Sequence, residues 1–310
     1  MAKAESEIYM DITKPNKKMR LEKMGKGITF IAVGITILLT VMILALVVSK
    51  GVSIFLFNKG SIVEFFTGLK WNPGTLSEMG KPIIGALPLI TGSFIVTLLS
   101  ALICTPIAFG AAVFMTEISP RFGKKVLQPV MELLVGIPSV VYGFIGLSVV
   151  VPLLRESFSG SGFGIAAGTI VLSVMILPTI TSLSIDAIAS VPRSLREASY
   201  SLGATRWQTI YRVILKTAKS GLLTAVIFGM ARAFGEALAV QMVIGNSPVM
   251  PTSLMEPAST LTSILTMGMG YTVLGQAENN ALWSLALVLL MMSFLFIILV
   301  RWIGRKERRA

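Results

Sequence analysis

Residues 191–220 read VPRSLREASYSLGATRWQTIYRVILKTAKS, and this polar segment separates two long apolar runs. Pro192 suits the first turn of a helix, because the N–H that proline lacks would have no helical partner at that position. Gly203 is the natural left-handed residue at which that helix ends. Thr205 and Gln208 have the spacing of a capping box, which predicts that a second helix begins there. The segment therefore predicts two helices joined by a glycine turn.

The rest of the chain is dominated by apolar runs that are long enough to cross a bilayer. Hydrophobic residues make up 54% of the 310 residues and charged residues 14%, whereas roughly 25% charged is typical of soluble domains. About 20 apolar residues in a helix span the hydrocarbon core of a membrane. Six such runs lie at residues 28–49, 88–115, 130–152, 165–188, 220–245 and 281–302. The sequence predicts an all-α, polytopic bundle of six transmembrane helices in contact with membrane lipid.

The basic residues are distributed unevenly among the segments that connect these runs. Of 27 lysines and arginines, 21 lie in the two terminal tails or in the second and fourth connections, and five in the other connections. Cytoplasmic segments of membrane proteins are rich in Lys and Arg, so both termini are predicted to be cytoplasmic. The net charge of +12 is interpreted as this topology signal, and no nucleic-acid partner is expected. Residues 1–27 are predicted to be a cytoplasmic tail and residues 28–310 the transmembrane domain.

Several classes of chemistry are excluded by what the sequence lacks. It contains no G-x-x-x-x-G-K-[ST] motif, so the chain is not expected to bind ATP in the usual way. It contains no histidine, which excludes His-based metal sites and Ser-His-Asp catalysis. Cys104 is the only cysteine and is interpreted as a small packing residue. We expect no catalytic residue, no metal and no cofactor in this chain.

A second pattern lies inside the same polar segment. It consists of Glu197, Ala198, Ser199, Gly203 and Leu215. The spacing resembles the EAA loop in the membrane subunits of binding-protein-dependent ABC importers. The resemblance implies that residues 191–220 couple the chain to ATPase subunits and that the five residues belong to the coupling loop.

Two positions depart from the EAA pattern. Ser199 stands where the loop usually has a second alanine, which exchanges one small residue for another. Lys216 stands where the loop usually closes with a proline. Because proline would stop a helix, its absence predicts that the second helix continues into the following span.

Further stretches are similar to the phosphate-specific permeases of the PstC family. They are Gly85–Leu89 (GALPL), Gly136–Gly143 (GIPSVVYG), Pro192–Ser199 (PRSLREAS) and Arg232–Ala237 (RAFGEA). The resemblance extends over nearly the whole chain from residue 28. It implies the type I ABC importer (MetI-like) permease fold and a non-catalytic subunit in a prokaryotic plasma (inner) membrane. Such a subunit forms half of a phosphate translocation pathway.

The resemblance also implies the partners of the chain. They are a second permease subunit similar to PstA, two ATP-binding subunits similar to PstB, and an external phosphate-binding protein similar to PstS. Two external connections, residues 50–87 and 246–280, exceed the usual loop length and are further candidates for partner contact.

Arg232 and Glu236 are charged residues within the predicted fifth span. A charge at mid-bilayer costs about 2.5–3.5 kcal/mol on insertion scales and usually faces a cavity or a partner. Four residues apart on a helix, the two would share one face. Arginine offers forked donors for an oxyanion, so we interpret the pair as part of the substrate pathway or its gate. A pair that only neutralises itself is the structural alternative. Glu132 and Asp186, nearer the ends of their spans, are interpreted as solvated carboxylates.

Other functions remain open at the level of the sequence. The chain could be the sister PstA-type permease, or a permease for sulfate, molybdate or phosphonate. A secondary anion transporter would also have apolar spans and an intramembrane arginine, but it would not need an EAA-like loop. A membrane-embedded enzyme would need convergent nucleophiles or metal ligands, and the sequence offers no such cluster.

Overall fold

The computed structural model describes residues 17–77, 80–158 and 160–307, and most of them are helical. The helices are α1 (Lys17–Gly51), α2 (Ser53–Phe57), α3 (Ile62–Thr67), α4 (Leu87–Val113), α5 (Pro120–Phe122), α6 (Gln128–Gly136), α7 (Ser139–Ile145), α8 (Val151–Ser157), α9 (Ile165–Ala189), α10 (Arg193–Ser201), α11 (Arg206–Thr209), α12 (Leu215–Thr217), α13 (Lys219–Phe234), α14 (Leu238–Gln241), α15 (Leu261–Met269) and α16 (Ala277–Glu307). Four π-helical turns extend or join them at Phe114–Ile118, Gly123–Leu127, Gly146–Val150 and Ile210–Ile214. The strands are β1 (Trp71–Leu76) and β2 (Pro82–Ile84).

The chain divides into two units, Met1–Ser49 and Lys50–Ala310. In the first unit, α1 begins at Lys17, so part of the predicted tail 1–27 is helical. Residues 1–16 of that tail lie outside the described residues, as do Arg308 and Arg309 of the basic C-terminal tail.

The predicted bundle of membrane-spanning helices is confirmed. Five helical segments in the described ranges are long and apolar enough to cross a membrane: Leu21–Phe57, Leu87–Ile118, Ser139–Ser157, Ile165–Ala189 and Ala277–Leu299. A sixth span results if the bent pair of segments Arg206–Thr217 and Lys219–Phe234 is counted as one. The number of candidate spans therefore agrees with the six predicted from the sequence.

The third span begins later than the predicted 130–152, because the helix breaks before Pro138. Proline has no N–H, so it cannot bond the carbonyl of Leu134 four residues earlier. The hydroxyl of Tyr142 donates to that carbonyl instead, over 2.7 Å. The carbonyl left free by the break therefore has a hydrogen-bond partner within the chain. The apolar span is Ser139–Ser157.

Helix α9 packs against both α4 and α13 in the second unit. Hydroxyl groups join α4 to α9: Ser100 Oγ donates to the carbonyl of Thr169 over 3.1 Å, and Ser173 Oγ donates to the carbonyl of Ser100 over 3.3 Å. Such interhelical bonds and small residues are typical of helix packing in membranes.

The crossing of α9 and α13 depends on a glycine. A Cβ at Gly229 would lie 2.4 Å from Cγ1 of Ile180, so only glycine permits this approach. The close contact brings the last turn of α13 beside the part of α9 that follows Pro178. Arg232 and Thr179 meet at this point.

The connection 50–87, predicted to be external, contains α2, α3 and an antiparallel ribbon of β1 and β2. Trp71 pairs with Ile84 and Asn72 with Ile83. Asn72, Pro73 and Gly74 lie within β1, although Asn-Pro-Gly is a typical turn sequence. A two-stranded ribbon tolerates Pro73, since each of its strands is an edge strand.

Candidate functional site

The polar segment 191–220 forms the predicted pair of helices, called here the coupling pair. Helix α10 ends in a Schellman motif: the N–H of Gly203 bonds the carbonyl of Tyr200, and the N–H of Ala204 bonds the carbonyl of Ser199. Gly203 has a φ of +79°, as predicted, and a Cβ there would meet nothing within 4 Å. A side chain at Gly203 would therefore be disfavoured by the left-handed backbone conformation and not by a clash with neighbouring atoms.

The second helix of the coupling pair begins with the predicted capping box. The N–H of Gln208 donates to Thr205 Oγ1 over 3.3 Å, and the N–H of Thr205 donates to Gln208 Oε1 over 2.9 Å. The prediction that this helix continues into the next span is wrong, because the chain bends by 67° between Arg206–Thr217 and Lys219–Phe234.

The bend has no proline, and apolar side chains on both sides of it are buried together. Four side chains at four-residue intervals, Ile210, Ile214, Ala218 and Leu222, are buried in one cluster that also includes Ile188 of α9. Lys216, where the EAA pattern has proline, is exposed. The bend keeps the apolar residues before and after it in this cluster.

The residues of the EAA-like pattern have different surroundings. Glu197, Ala198 and Gly203 are exposed, and Leu215 is half-buried against the apolar cluster. Ser199 is buried, and its Oγ lies 2.9 Å from Oγ1 of Thr209. Because Thr209 Oγ1 donates to the carbonyl of Thr205, we infer that Ser199 donates to Thr209. Serine thus joins the two helices through a bond that alanine could not make.

The coupling pair also exposes large apolar side chains. Leu202 is 89% exposed, Trp207 65% and Tyr211 61%. Large exposed apolar side chains on an otherwise polar segment are a common feature of protein–protein contact surfaces. The sequence analysis did not single out these three residues.

Two arginines that the sequence analysis did not select attach the coupling pair to the π-helical turn at the end of α4. Arg196 Nη2 lies 2.8 Å from Glu117 Oε1, and both side chains are largely buried. Arg196 also donates to the carbonyls of Val191 and Ile188. Arg206 donates to the carbonyl of Glu117 and, over 3.1 Å, to that of Ile118. We call the Arg196–Glu117 ion pair with the Arg206 contacts the arginine clamp.

A cavity of about 960 Å³ lies next to the arginine clamp, between the coupling pair, α6 and α9. Its lining includes Glu132, Asp186 and Glu197 as acidic residues, and Lys124 and Arg193 as basic residues. Glu132 and Asp186 are exposed, which agrees with their interpretation as solvated carboxylates.

The structure does not bring Arg232 and Glu236 together on one helical face. Helix α13 ends at Phe234, between the two residues, so the prediction that both lie on one face of one helix is wrong. Glu236 Oε1 accepts from the N–H of Ala239 over 3.2 Å and caps the first turn of α14. The carbonyl of Glu236 accepts from Thr262 Oγ1 over 2.8 Å. These bonds outside α13 stabilise the break.

Arg232 has a neutral partner. Its Nη1 donates to Oγ1 of Thr179 over 2.5 Å, and the side chain is half-buried. Within residues 17–77, 80–158 and 160–307, the ion pairs are Lys26–Glu22 and Arg196–Glu117, so no carboxylate neutralises Arg232 there. The same residues contain no cluster of metal-binding side chains.

Comparison with known proteins identifies the architecture. Residues 105–309 match the family described as the binding-protein-dependent transport system inner membrane component. The chain belongs to this family. It is 62% identical over 260 residues, 84% of the chain and 83% of the relative, to the probable ABC transporter permease protein YqgH of Bacillus subtilis. It is 34% identical to the phosphate transport system permease protein PstC of Mesorhizobium japonicum, over 84% of the chain and 85% of that protein.

Solved structures agree with this family fold. A bacterial alginate ABC transporter in complex with an alginate pentasaccharide-bound periplasmic protein superimposes with a TM-score of 0.57 at 16% identity, over 91% of the chain and 97% of that chain. The inward-facing MetNI methionine ABC transporter superimposes with a TM-score of 0.50 at 20% identity, over 71% and 94%. The predicted MetI-like permease fold of type I importers is confirmed.

Proposed function

We infer that the chain is a PstC-type permease subunit of an ATP-driven phosphate importer and forms half of its translocation pathway. The observation that carries this inference is the 34% identity to a phosphate permease across 84% of the chain. As a permease of this family, the chain is a multi-pass membrane protein without ATPase activity of its own, and the ATPase is a separate subunit. An external substrate-binding protein delivers the substrate.

The coupling pair is proposed to dock onto the ATPase subunits. Exposed Glu197 and Ala198 would contact the partner together with the apolar side chains of Leu202 and Trp207. Gly203 fixes the angle between the two helices, and Ser199 bonds them together internally. Leu215 contributes to the apolar cluster that connects the pair to the membrane bundle.

The specific partners follow from the same inference. They are a PstA-like permease that completes the pathway, two PstB-like ATPases and a PstS-like phosphate-binding protein. Arg232 is proposed to contact the anion in the pathway, because it carries an uncompensated charge and forked donors. Glu236 is proposed to act through the break between α13 and α14, which could change as the pathway opens.

Both termini are proposed to be cytoplasmic, with residues 1–27 as a tail and 28–310 as the permease domain. We expect single cysteines at Lys124 and Lys216 to react only from the cytoplasmic side, and those at Lys70 and Tyr271 only from outside. All four positions are exposed. The single cysteines are introduced in a Cys104→Ala background, which removes the native, buried thiol. Labelling of intact cells and of inverted vesicles with an impermeant maleimide measures this. Reaction of any one position from the opposite side would contradict the topology.

The substrate and the partners are tested together in the reconstituted complex. We expect the chain to co-purify with an ATPase subunit, and phosphate with its binding protein to stimulate ATP hydrolysis. Sulfate, molybdate and phosphonate, each with the same binding protein, should leave hydrolysis near its basal rate. Stimulation by one of these anions instead of phosphate would replace the proposed substrate. Absence of any co-purifying ATPase would favour a secondary transporter.

A further inference from the structure

The partner of Arg232 in the membrane-spanning part of the fold is a hydroxyl rather than a carboxylate. We propose that Thr179 is a positioning residue, which orients the Arg232 guanidinium toward the transported anion without neutralising its charge. This inference rests on the proposed phosphate pathway and assigns a role to a residue that the family pattern does not single out.

The geometry of the two helices supports this role. Thr179 directly follows Pro178 in α9, and Arg232 lies in the last turn of α13. The close approach of Gly229 to Ile180 fixes these two points relative to each other. At this crossing, Nη1 of Arg232 donates to Oγ1 of Thr179, so the hydroxyl is the acceptor that holds this guanidinium.

The charge of Arg232 remains available in this arrangement. A guanidinium has five N–H donors, and the bond to Thr179 uses one of them. Glu236, the nearest acidic residue along the chain, directs its carboxylate to the N–H of Ala239. A carboxylate at position 179 would form an ion pair with Arg232 and compete with an anion for the same donors. A hydroxyl fixes the side chain without that competition.

The neutral bond between Thr179 and Arg232 affects both the binding and the release of an anion. An oxyanion that reaches Arg232 meets a positive charge already oriented by a neutral bond, so binding does not require an ion pair to break first. The same single bond lets the guanidinium return to its position after release. Thr179 therefore favours repeated, rapid cycles of binding and release.

Three substitutions separate positioning from a merely structural role. Thr179→Val removes the hydroxyl while keeping the shape, and we expect the maximal phosphate uptake rate to fall about tenfold. Thr179→Ser keeps the hydroxyl and should restore uptake to near the wild-type rate. Thr179→Asp keeps an acceptor but neutralises Arg232, so uptake should fall further than with valine. The external binding protein captures phosphate, so half-saturation should stay unchanged in all three.

A matched control is available in the same helix. Thr169 is buried in α9, and its Oγ1 has no hydrogen-bond partner in the structure, so Thr169→Val removes a hydroxyl without removing a bond. We expect this variant to assemble and to transport phosphate normally. The measurements are uptake into vesicles that contain the complete complex, and the yield of assembled complex. If Thr179→Val does not assemble, the comparison of the Ser and Asp variants decides.

Two results would overturn the proposal. Normal uptake with Thr179→Val would mean that the hydroxyl is not needed, and normal uptake with Thr179→Asp would mean that Arg232 need not be uncompensated. In both cases, lost uptake with Arg232→Gln would leave the pathway role of Arg232 intact. Normal uptake with Arg232→Gln would instead overturn that role, and the role of Thr179 with it.

Discussion

Replacing Arg232 by glutamine is expected to reduce phosphate uptake by roughly two orders of magnitude, because the proposed pathway would lose an uncompensated charge and its forked donors. Assembly should be unaffected, since Arg232 has a single hydroxyl partner and no ion pair among the described residues. Arg232→Lys is the matched control: it keeps the charge but loses the fork, so uptake should be intermediate. The measurement is phosphate uptake into vesicles containing the complete complex, compared at equal amounts of assembled protein. Wild-type uptake by the glutamine variant would remove Arg232 from the pathway.

The structure changes what is expected of Glu236 in the same experiment. The carboxylate of Glu236 caps α14 and does not pair with Arg232. In Glu236→Gln, the amide oxygen can still accept the bond from the N–H of Ala239. We expect this variant to lose much less uptake than Arg232→Gln, and the effects of the two substitutions to add in the double variant. A double variant that is no worse than Arg232→Gln alone would instead indicate that the two residues act as a pair.

Features that depend on neighbouring residues in the sequence were predicted correctly. The glycine turn at Gly203 and the capping box of Thr205 and Gln208 are formed by backbone and side-chain groups within five residues of each other. The interactions that stabilise these features are made by residues close in the sequence, so the sequence pattern predicts them before the fold is known. The apolar runs were equally readable, because a membrane imposes its thickness on each helix separately.

Features that depend on packing between distant segments were not predicted. Nothing between Arg232 and Glu236 forbids a continuous helix, and the end of α13 at Phe234 is stabilised by Thr262, which lies 26 residues after Glu236. The bend before Lys219 accompanies burial against α9. Thr179 and Arg232 lie 53 residues apart in the sequence. In each case the deciding partner comes from another helix, so a pattern within one segment could not reveal it.

The arginine clamp has a similar origin, because Arg196 and Glu117 are 79 residues apart. The ion pair connects α10, which we propose to contact the ATPase, with the C-terminal end of the second span. Arg196 in addition bonds two carbonyls at and just after the end of α9. We propose that a displacement of the coupling pair would be transmitted through this one side chain to the end of α4 and to α9. Such a connection is what coupling of ATP hydrolysis to the membrane helices requires.

Reversing the charge of Arg196 is accordingly expected to uncouple the transporter. In Arg196→Glu, two carboxylates face each other in a largely buried position, at a cost of at least about 3–5 kcal/mol. We expect uptake to fall at least tenfold, a factor that corresponds to about 1.4 kcal/mol. ATP hydrolysis should continue but lose its dependence on phosphate and binding protein. Both rates are measured in the reconstituted complex. Arg121→Glu makes the same charge change at an exposed position and should have little effect.

The charge-swapped double variant separates coupling from local damage. Arg196→Glu with Glu117→Arg restores an ion pair between α10 and the end of α4, but it does not restore the bonds to the carbonyls of Val191 and Ile188. We therefore expect phosphate-dependent hydrolysis and uptake to recover in part, above both single variants. No recovery in an assembled complex would mean that the carbonyl bonds alone matter. Normal coupling in Arg196→Glu would exclude the clamp as the connection, because the ion pair would then be dispensable for transmitting motion from the ATPase to α4.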